Sequence, residues 1–211
     1  MTIDVRETAA TRARYDRIAP LYDLMELLIE RFAFRQWRRR LWARVQGGKV
    51  LEVGVGTGKN MPYYPPGVQV TALDLSPRML ERAQQRAQRE GVTVDLRLMD
   101  AQALEFPDDT FDAAVATFVF CSVPDPVLSL RELRRVVKPG GQTVLLEHVR
   151  LEQPILGALM DLLNPLVLRL MGPNINRRTV ENVEKAGLRI EHVEDLAVGG
   201  LVKLIVARVE K

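Results

Sequence analysis

Side chains that carry out chemistry themselves are scarce in this 211-residue chain, which holds one cysteine (Cys121) and two histidines (His148 and His192). A lone cysteine excludes an internal disulfide. Together with two histidines it is too little for a Cys/His zinc cluster, so no metal is expected and hydrolysis at a His-rich metal centre is excluded. No uncharged apolar run reaches about 18 residues, so no segment is expected to span a bilayer. The polar stretch after Met1 predicts no secretory signal, and hence a cytoplasmic location. What is plentiful is ordinary: 47% hydrophobic and 27% charged residues describe a globular chain with a sizeable core, and exclude disorder. A folded chain this poor in reactive groups points to a cofactor that supplies the reactivity.

The net charge of +3 is unevenly spread. Residues 1–49 carry +5 and residues 50–211 carry −2. Six arginines fall between Arg31 and Arg44 with no acid among them, interleaved with Phe32, Phe34, Trp37 and Trp42. A block of this kind marks a solvated face, a membrane surface or a nucleic-acid contact. Basic residues mixed with aromatics suit an interfacial helix, where each cation contributes about 1 kcal/mol at an anionic leaflet. Nucleic acid is not expected, because only this one helix is basic.

Local signals divide the chain into a helical arm, residues 1–48, and a domain, residues 49–211. Residues 5–18 read as a helix interrupted by Pro20, and residues 21–45 as a second, amphipathic one ended by Gly47 and Gly48. Strands are expected at 49–53, 68–73, 92–99, 111–118, 142–149, 188–196 and 201–209. Helices are expected at 76–90, with Ser76 as N-cap, Pro77 in the first turn and Gly91 as stop, and at 126–137 and 177–186. The alternation predicts an α/β fold, a doubly wound, seven-stranded, mostly parallel sheet of Rossmann-like type. The last two strands are too close for a helical crossover and must pair antiparallel, or one must insert between others. An apolar insert spans residues 150–176.

The first strand runs into Gly54-x-Gly56-x-Gly58, preceded by Glu52. Asp74 closes the second strand, where a carboxylate can hold both hydroxyls of a ribose. The third glycine comes one position earlier than in the dinucleotide fingerprint, which argues against a nicotinamide oxidoreductase. A pyrophosphate also disfavours a neighbouring acid, whereas a sulfonium ligand tolerates Glu52. The pattern E-x-G-x-G-x-G resembles the first motif of class I S-adenosylmethionine (SAM) methyltransferases. The resemblance continues over about residues 50–150, through LDLSPRML (73–80), MDAQAL (99–104), FDAAVATFVF (111–120) and LRRVVKPGG (133–141). It implies a cofactor site of Glu52, Gly54, Gly56, Gly58, Asp74, Leu75, Met79, Asp100, Ala101 and Thr117. Asp74 would hold the ribose and Met79 would lie near the adenine. Asp100 would accept from the adenine amino group, and the Ala101 N–H would donate to a ring nitrogen. SAM would be the methyl donor and S-adenosylhomocysteine the product.

Tyr15-Asp16 and Tyr22-Asp23 flank Ile18-Ala19-Pro20 in a pattern that resembles the arm of quinone-biosynthesis and phospholipid methyltransferases. The resemblance implies an arm closing over the methionine end of SAM, with Tyr15 and Tyr22 near the methyl group or else packing the arm. Glu147-His148-Val149-Arg150 follows the fifth strand, a position that faces the acceptor in related enzymes. His148 is therefore either a proton acceptor from an amine or thiol or a partner of the insert. Cys121 and Arg150 fall on the acceptor side, although a cysteine there is also a common small apolar filler. In GPNINRRT (172–179), Asn174 and Arg177 are candidates for the acceptor, with arginine suited to a phosphate and asparagine equally suited to capping a helix.

The Glu-His-Val motif, the insert and G-x-N-x-x-R together resemble bacterial phosphatidylethanolamine N-methyltransferases and membrane-associated thiol S-methyltransferases of animals. Many of the bacterial lipid enzymes carry Asn-His-Phe in place of Glu-His-Val. The resemblance implies a small or lipophilic acceptor, first a phospholipid amine, then a thiol or a quinone-type carbon. An anionic membrane at the inner face would be the surface met. A SAM-binding module without catalysis is the reading from another class. The sequence does not set the oligomeric state.

Overall fold

The computed structural model describes residues 3–29, 33–45, 48–170 and 172–211. Two helices lead, α1 (Val5–Ile29) and α2 (Arg35–Trp42). Then follow β1 (Lys49–Val53), β2 (Gln69–Asp74), α3 (Pro77–Glu90), β3 (Asp95–Leu98), β4 (Phe111–Thr117), α4 (Pro126–Val136) and β5 (Val137–His148). The chain ends with α5 (Pro154–Leu170), α6 (Thr179–Lys185), β6 (Leu188–Asp195) and β7 (Val202–Val209). The seven strands form one sheet in the order β3-β2-β1-β4-β5-β7-β6. Strands β1 to β5 pair parallel, and β7 inserts antiparallel between β5 and β6. The fold is therefore the doubly wound α/β sheet read from the alternation.

Both faces of the sheet are buried, as a parallel sheet requires. One face packs against Leu130, Leu133 and Val136 of α4, Val183 of α6 and Ala186 just after it. The other packs against Leu41 and Trp42 of α2 and Ala83 and Ala87 of α3. Ser76 caps α3, accepting from Met79 N at 3.1 Å, with Pro77 at the first position and Gly91 closing the helix in the left-handed region. The central strands β1 and β4 are buried along almost their whole length, which leaves function to their carboxyl ends.

Three readings are corrected. Pro20 does not interrupt the first helix but lies inside α1. A proline there leaves the carbonyl four residues back without its helical donor, and that carbonyl, Asp16 O, accepts from Arg78 Nη1 of α3 at 3.4 Å. The third strand is shorter than the alternation suggests, and the fifth starts earlier, with Val137 paired to Phe111. The apolar insert forms α5, a single helix holding Pro165.

The basic helix is also not the free face its charge suggests. Arg38 is buried, in the same stripe as Leu41 and Trp42, because positions i, i+3 and i+4 share a helix face. Arg40 pairs with Glu194 at 2.9 Å and Arg44 with the same carboxylate at 3.5 Å, while Arg35 and Arg39 are exposed. Arg31 and Phe32 lie outside the described residues. Reversing the charge at Arg38 is expected to destabilise the protein by about 3 kcal/mol or more, since it replaces a buried hydrogen-bonded cation by an unpaired acid. The same change at Arg35 should stay within about 0.5 kcal/mol. Urea unfolding of the two variants measures the difference.

Candidate active site

Strand order reverses direction between β1 and β4, the point at which open α/β sheets bind ligands. A cavity lies there. Its floor is Val53, Gly54 and Gly56 after β1, Leu73, Asp74 and Leu75 after β2, and Thr117 to Val119 after β4. Met79, Met99, Asp100 and Ala101 form one side, and Thr11, Tyr15 and Tyr22 of α1 form the roof.

Two glycines explain the turn. Gly54 has φ +67°, and a side chain there would bring Cβ within 2.4 Å of Val119 Cγ2. Gly56 has φ +54°, with open space where Cβ would project, so a ligand can approach its backbone. Gly58 faces Met61 and Arg86 and does not line the cavity.

Asp74 is held by the loop it serves. Gly56 N donates to its Oδ2 and Ser76 N to its Oδ1, both at 2.9 Å. Burial pushes its carboxyl up to about 6, against the pull of those backbone donors. Gln102 holds the other carboxylate. Its backbone N donates to Asp100 Oδ1 at 2.9 Å, and its Nε2 reaches Asp100 Oδ2 and Thr8 Oγ1 of α1, both at 3.1 Å. The arm is therefore hydrogen-bonded through Gln102 to the loop after β3 that carries Asp100. It is also bonded to the N-terminus of α3, where Ser76 Oγ donates to Asp16 Oδ1 at 2.5 Å. At the far wall the Tyr15 hydroxyl meets Ser122 Oγ at 2.5 Å. Burial raises the Tyr15 phenol well above its ordinary range, so it stays neutral. Lys59 Nζ sits 5.3 Å above the Tyr22 ring. The side chain of Asp23 lies outside the described residues.

Glu52 does not line the cavity. It is fully buried behind it, where Asn60 Nδ2 donates to its Oε1 at 2.6 Å and the Tyr64 hydroxyl donates to its Oε2. Asn60 Nδ2 also donates to Thr117 Oγ1 at 3.0 Å, and Arg38 Nη1 donates to Asn60 Oδ1 at 2.9 Å. A chain of polar groups thus joins α2 to the strand ends. Burial pushes the Glu52 carboxyl up to about 7, opposed by the Tyr64 and Asn60 hydrogen bonds. Nothing in the local sequence around the glycine motif signals Asn60, Tyr64 or Arg38 as its partners.

The structure does not bring His148 to the cavity. Adjacent strand residues point to opposite faces, and its neighbour Glu147 is the one that turns towards the loop after β4. Glu147 is fully buried, and its Oε1 accepts from Val119 N at 2.8 Å and Phe120 N at 3.2 Å. It pins the turn in which Phe118 adopts φ +56°. Burial raises the Glu147 carboxyl to about 8 and lowers the pKa of His148. Cys121 is buried and lines neither cavity; its Sγ donates to Phe118 O at 3.3 Å, and burial pushes its thiol up to about 12. Arg150 lines neither cavity and pairs with Asp161 of α5, Nη2 to Oδ2 at 2.8 Å.

A second cavity abuts the first, sharing Thr11, Ser122, Val123 and Pro124. Glu7, Ala10, Arg14, Leu168, Asn174 and Arg177 complete it. The structure thus places Asn174 and Arg177 beside the first cavity, whereas Arg14, Thr11 and Ser122 carry no motif that would single them out in the sequence.

The residues of the first cavity fit a cationic nucleoside. Asp74 and Asp100 are the only charged groups among its described lining residues. That suits the sulfonium and amino group of SAM and opposes a pyrophosphate.

Comparisons with known proteins agree. A methyltransferase domain model matches residues 51–145. A phosphatidylethanolamine N-methyltransferase of Cereibacter sphaeroides is 46% identical over 115 residues, 53% of this chain and 57% of that protein. The chain therefore matches little more than half the length of that relative. A demethylmenaquinone methyltransferase of Renibacterium salmoninarum is 34% identical over 174 residues, 81% of this chain and 70% of that one. Among solved structures, a possible histamine N-methyltransferase of Thermotoga maritima superposes with a TM-score of 0.72 at 22% identity, over 94% of this chain and 99% of that one. A [4+2]-cyclase, SpnF, shares the fold with a TM-score of 0.66 at 21% identity, over 83% and 80%. Fold alone does not name the reaction, but fold, cavity and relatives together do: the chain belongs to the SAM-dependent methyltransferases.

Proposed function

We propose that the enzyme N-methylates the amine head group of an ethanolamine phospholipid at a membrane surface. The observation that carries this reading is the outer face of α5. Ile155, Leu159, Leu162 and Leu166 recur at helical spacing, flanked by Leu156 and Leu163, and all six are exposed, Ile155 and Leu162 by 76% and 75%. Asp161 of α5 pairs with Arg150 and Asn164 accepts from Ile175 N at 2.8 Å, while Arg169 in the last turn is exposed. An aliphatic face of this kind marks an interaction surface, and Leu168 of the same helix borders the second cavity. No described helix is long and apolar enough to cross a membrane, so contact would be peripheral. The phosphatidylethanolamine N-methyltransferase relative supports the choice of amine.

SAM supplies, when bound, a methyl group already activated on sulfonium, so that a neutral amine needs only to form its N–C bond as the S–C bond breaks. The protein's part is alignment and exclusion of water. Asp74 and the Gly56 backbone would hold the nucleoside end. Tyr15, Tyr22 and α1 would cover the reacting end, and the neutral Tyr15 hydroxyl would accept a hydrogen bond from an incoming amine. A head-group amine that arrives as an ammonium must give up a proton before it attacks, and His148, which lines neither cavity, is not placed to take it.

The longer match to a demethylmenaquinone methyltransferase favours a second reading, a quinone-type carbon acceptor with an isoprenoid tail on α5. The test is incubation with methyl-labelled SAM and, in parallel, phosphatidylethanolamine vesicles, a demethylated quinone and a thiol panel. Label in the lipid amine is expected. Label confined to the quinone or to thiols would overturn the lipid reading.

A further inference from the structure

The two adjoining cavities differ in charge. The first holds two carboxylates and no basic group among its described lining residues, while the second holds Arg14 and Arg177 with one acid, Glu7. We propose that the second cavity is a binding site for a phosphate ester, with Arg14 and Arg177 as its cations. The site deepens, and rests on, the reading of a phospholipid amine acceptor: the phosphate would sit in the second cavity while the amine, a few bonds away, reaches past Ser122 towards Tyr15.

Arg177 is built into the site. Its Nη2 donates to Val123 O at 2.8 Å and Pro124 O at 3.4 Å, which fixes the guanidinium against the loop shared by the two cavities. Its partners are carbonyls, not a carboxylate, and its buried Nε has none. A desolvated cation without a bonded anion is costly, and a phosphate would relieve that cost. Arg14 lies across Gly172, whose carbonyl accepts from its Nη1 at 3.2 Å. A Cβ at Gly172 would come within 2.7 Å of Arg14 Cδ, so the glycine lets the arginine lie flat there. Asn174 shapes the cavity, since its Nδ2 donates to Cys121 O at 3.2 Å and its Oδ1 accepts from Asn164 at 3.0 Å. Glu7 stands on the first turns of α1, where it opposes an anion but leaves the cavity net positive. Two arginines are the side chains best suited to a phosphate's oxygens.

The test uses the full chain with S-adenosylhomocysteine and three probes: glycerophosphoethanolamine, ethanolamine and inorganic phosphate. Glycerophosphoethanolamine is expected to bind at least about tenfold more tightly than ethanolamine, and Arg14→Gln to weaken it about tenfold. Arg14→Lys should recover part of the loss. The affinity of Arg14→Gln for S-adenosylhomocysteine should be unchanged, which shows that the fold and donor site persist. Equal binding of glycerophosphoethanolamine by the wild type and Arg14→Gln, or equal binding of ethanolamine, would overturn the site. Phosphate binding as tightly as the diester, with the same Arg14 dependence, would assign the site to free phosphate and not to a lipid head group. If vesicles take no label but the diester binding depends on Arg14, the lipid reading fails while the phosphate site stands.

Discussion

Truncating Glu52 to alanine is expected to destabilise the protein by about 3–5 kcal/mol. Its carboxylate is the acceptor for Nδ2 of the buried Asn60 and for the hydroxyl of the partly buried Tyr64, and Asn60 in turn accepts from the buried Arg38. Removal leaves donors without acceptors and opens a cavity next to the β1 turn. Glu52→Gln should cost under about 1.5 kcal/mol, because the amide keeps one oxygen for Asn60 and the Tyr64 hydroxyl can rotate to accept. The two variants also separate in pH dependence. The folded-state carboxyl lies at about 7 against an ordinary 4.5, because burial disfavours its charge. Between those values the native state holds more proton than the unfolded one, so stability falls as pH rises through them. Glu52→Gln should remove that decline, as read by urea unfolding at about pH 5 and 8. An Ala variant as stable as Gln would show that the network carries no stability.

Replacing Asp74 with asparagine is expected to raise the dissociation constant for SAM about 100-fold. The effect has two parts. A carboxylate that can accept from both ribose hydroxyls loses one acceptor atom. The new amide must also point its N–H at Gly56 N or Ser76 N, both of which are donors to Asp74. The loop that carries Gly56 would then relax away from its bound position. Because the carboxyl lies near 6, wild-type affinity should fall as pH drops through that value, when the protonated form begins to donate where it should accept. Asp74→Asn should be nearly flat over the same range. Calorimetric titration at about pH 5, 6 and 8 reads both effects.

The fold was largely legible because its signals are local. Ser76, Pro77 and Gly91 mark α3 without reference to anything else, and the apolar runs of β1 and β4 announce buried strands. Gly54, Gly56 and Asp74 likewise point to the cavity, since a strand-end turn and its acid are set by spacing along the chain. What spacing could not show was decided across the sheet. His148 and Glu147 differ by one residue and therefore by one face, so the residue best tuned to neutral pH turned away and the buried acid turned in. Pro20 reads as a breaker until Arg78, from a helix 58 residues on, supplies the donor that the freed carbonyl needs. Arg38 belongs to a charge block by composition and to the core by its position on the Leu41–Trp42 stripe. The second cavity joins α1, the loop after β4, α5 and the segment before α6, and no one of these announces it alone.

Hydrogen–deuterium exchange with and without SAM tests most directly whether α1 closes over the donor site. Protection is expected to appear together in residues 53–58, 73–79, 99–102 and 117–123 and in residues 8–22 of α1. Protection of the strand ends with none in α1, or protection confined to other elements, would contradict the closed arm and the roles given to Tyr15 and Tyr22.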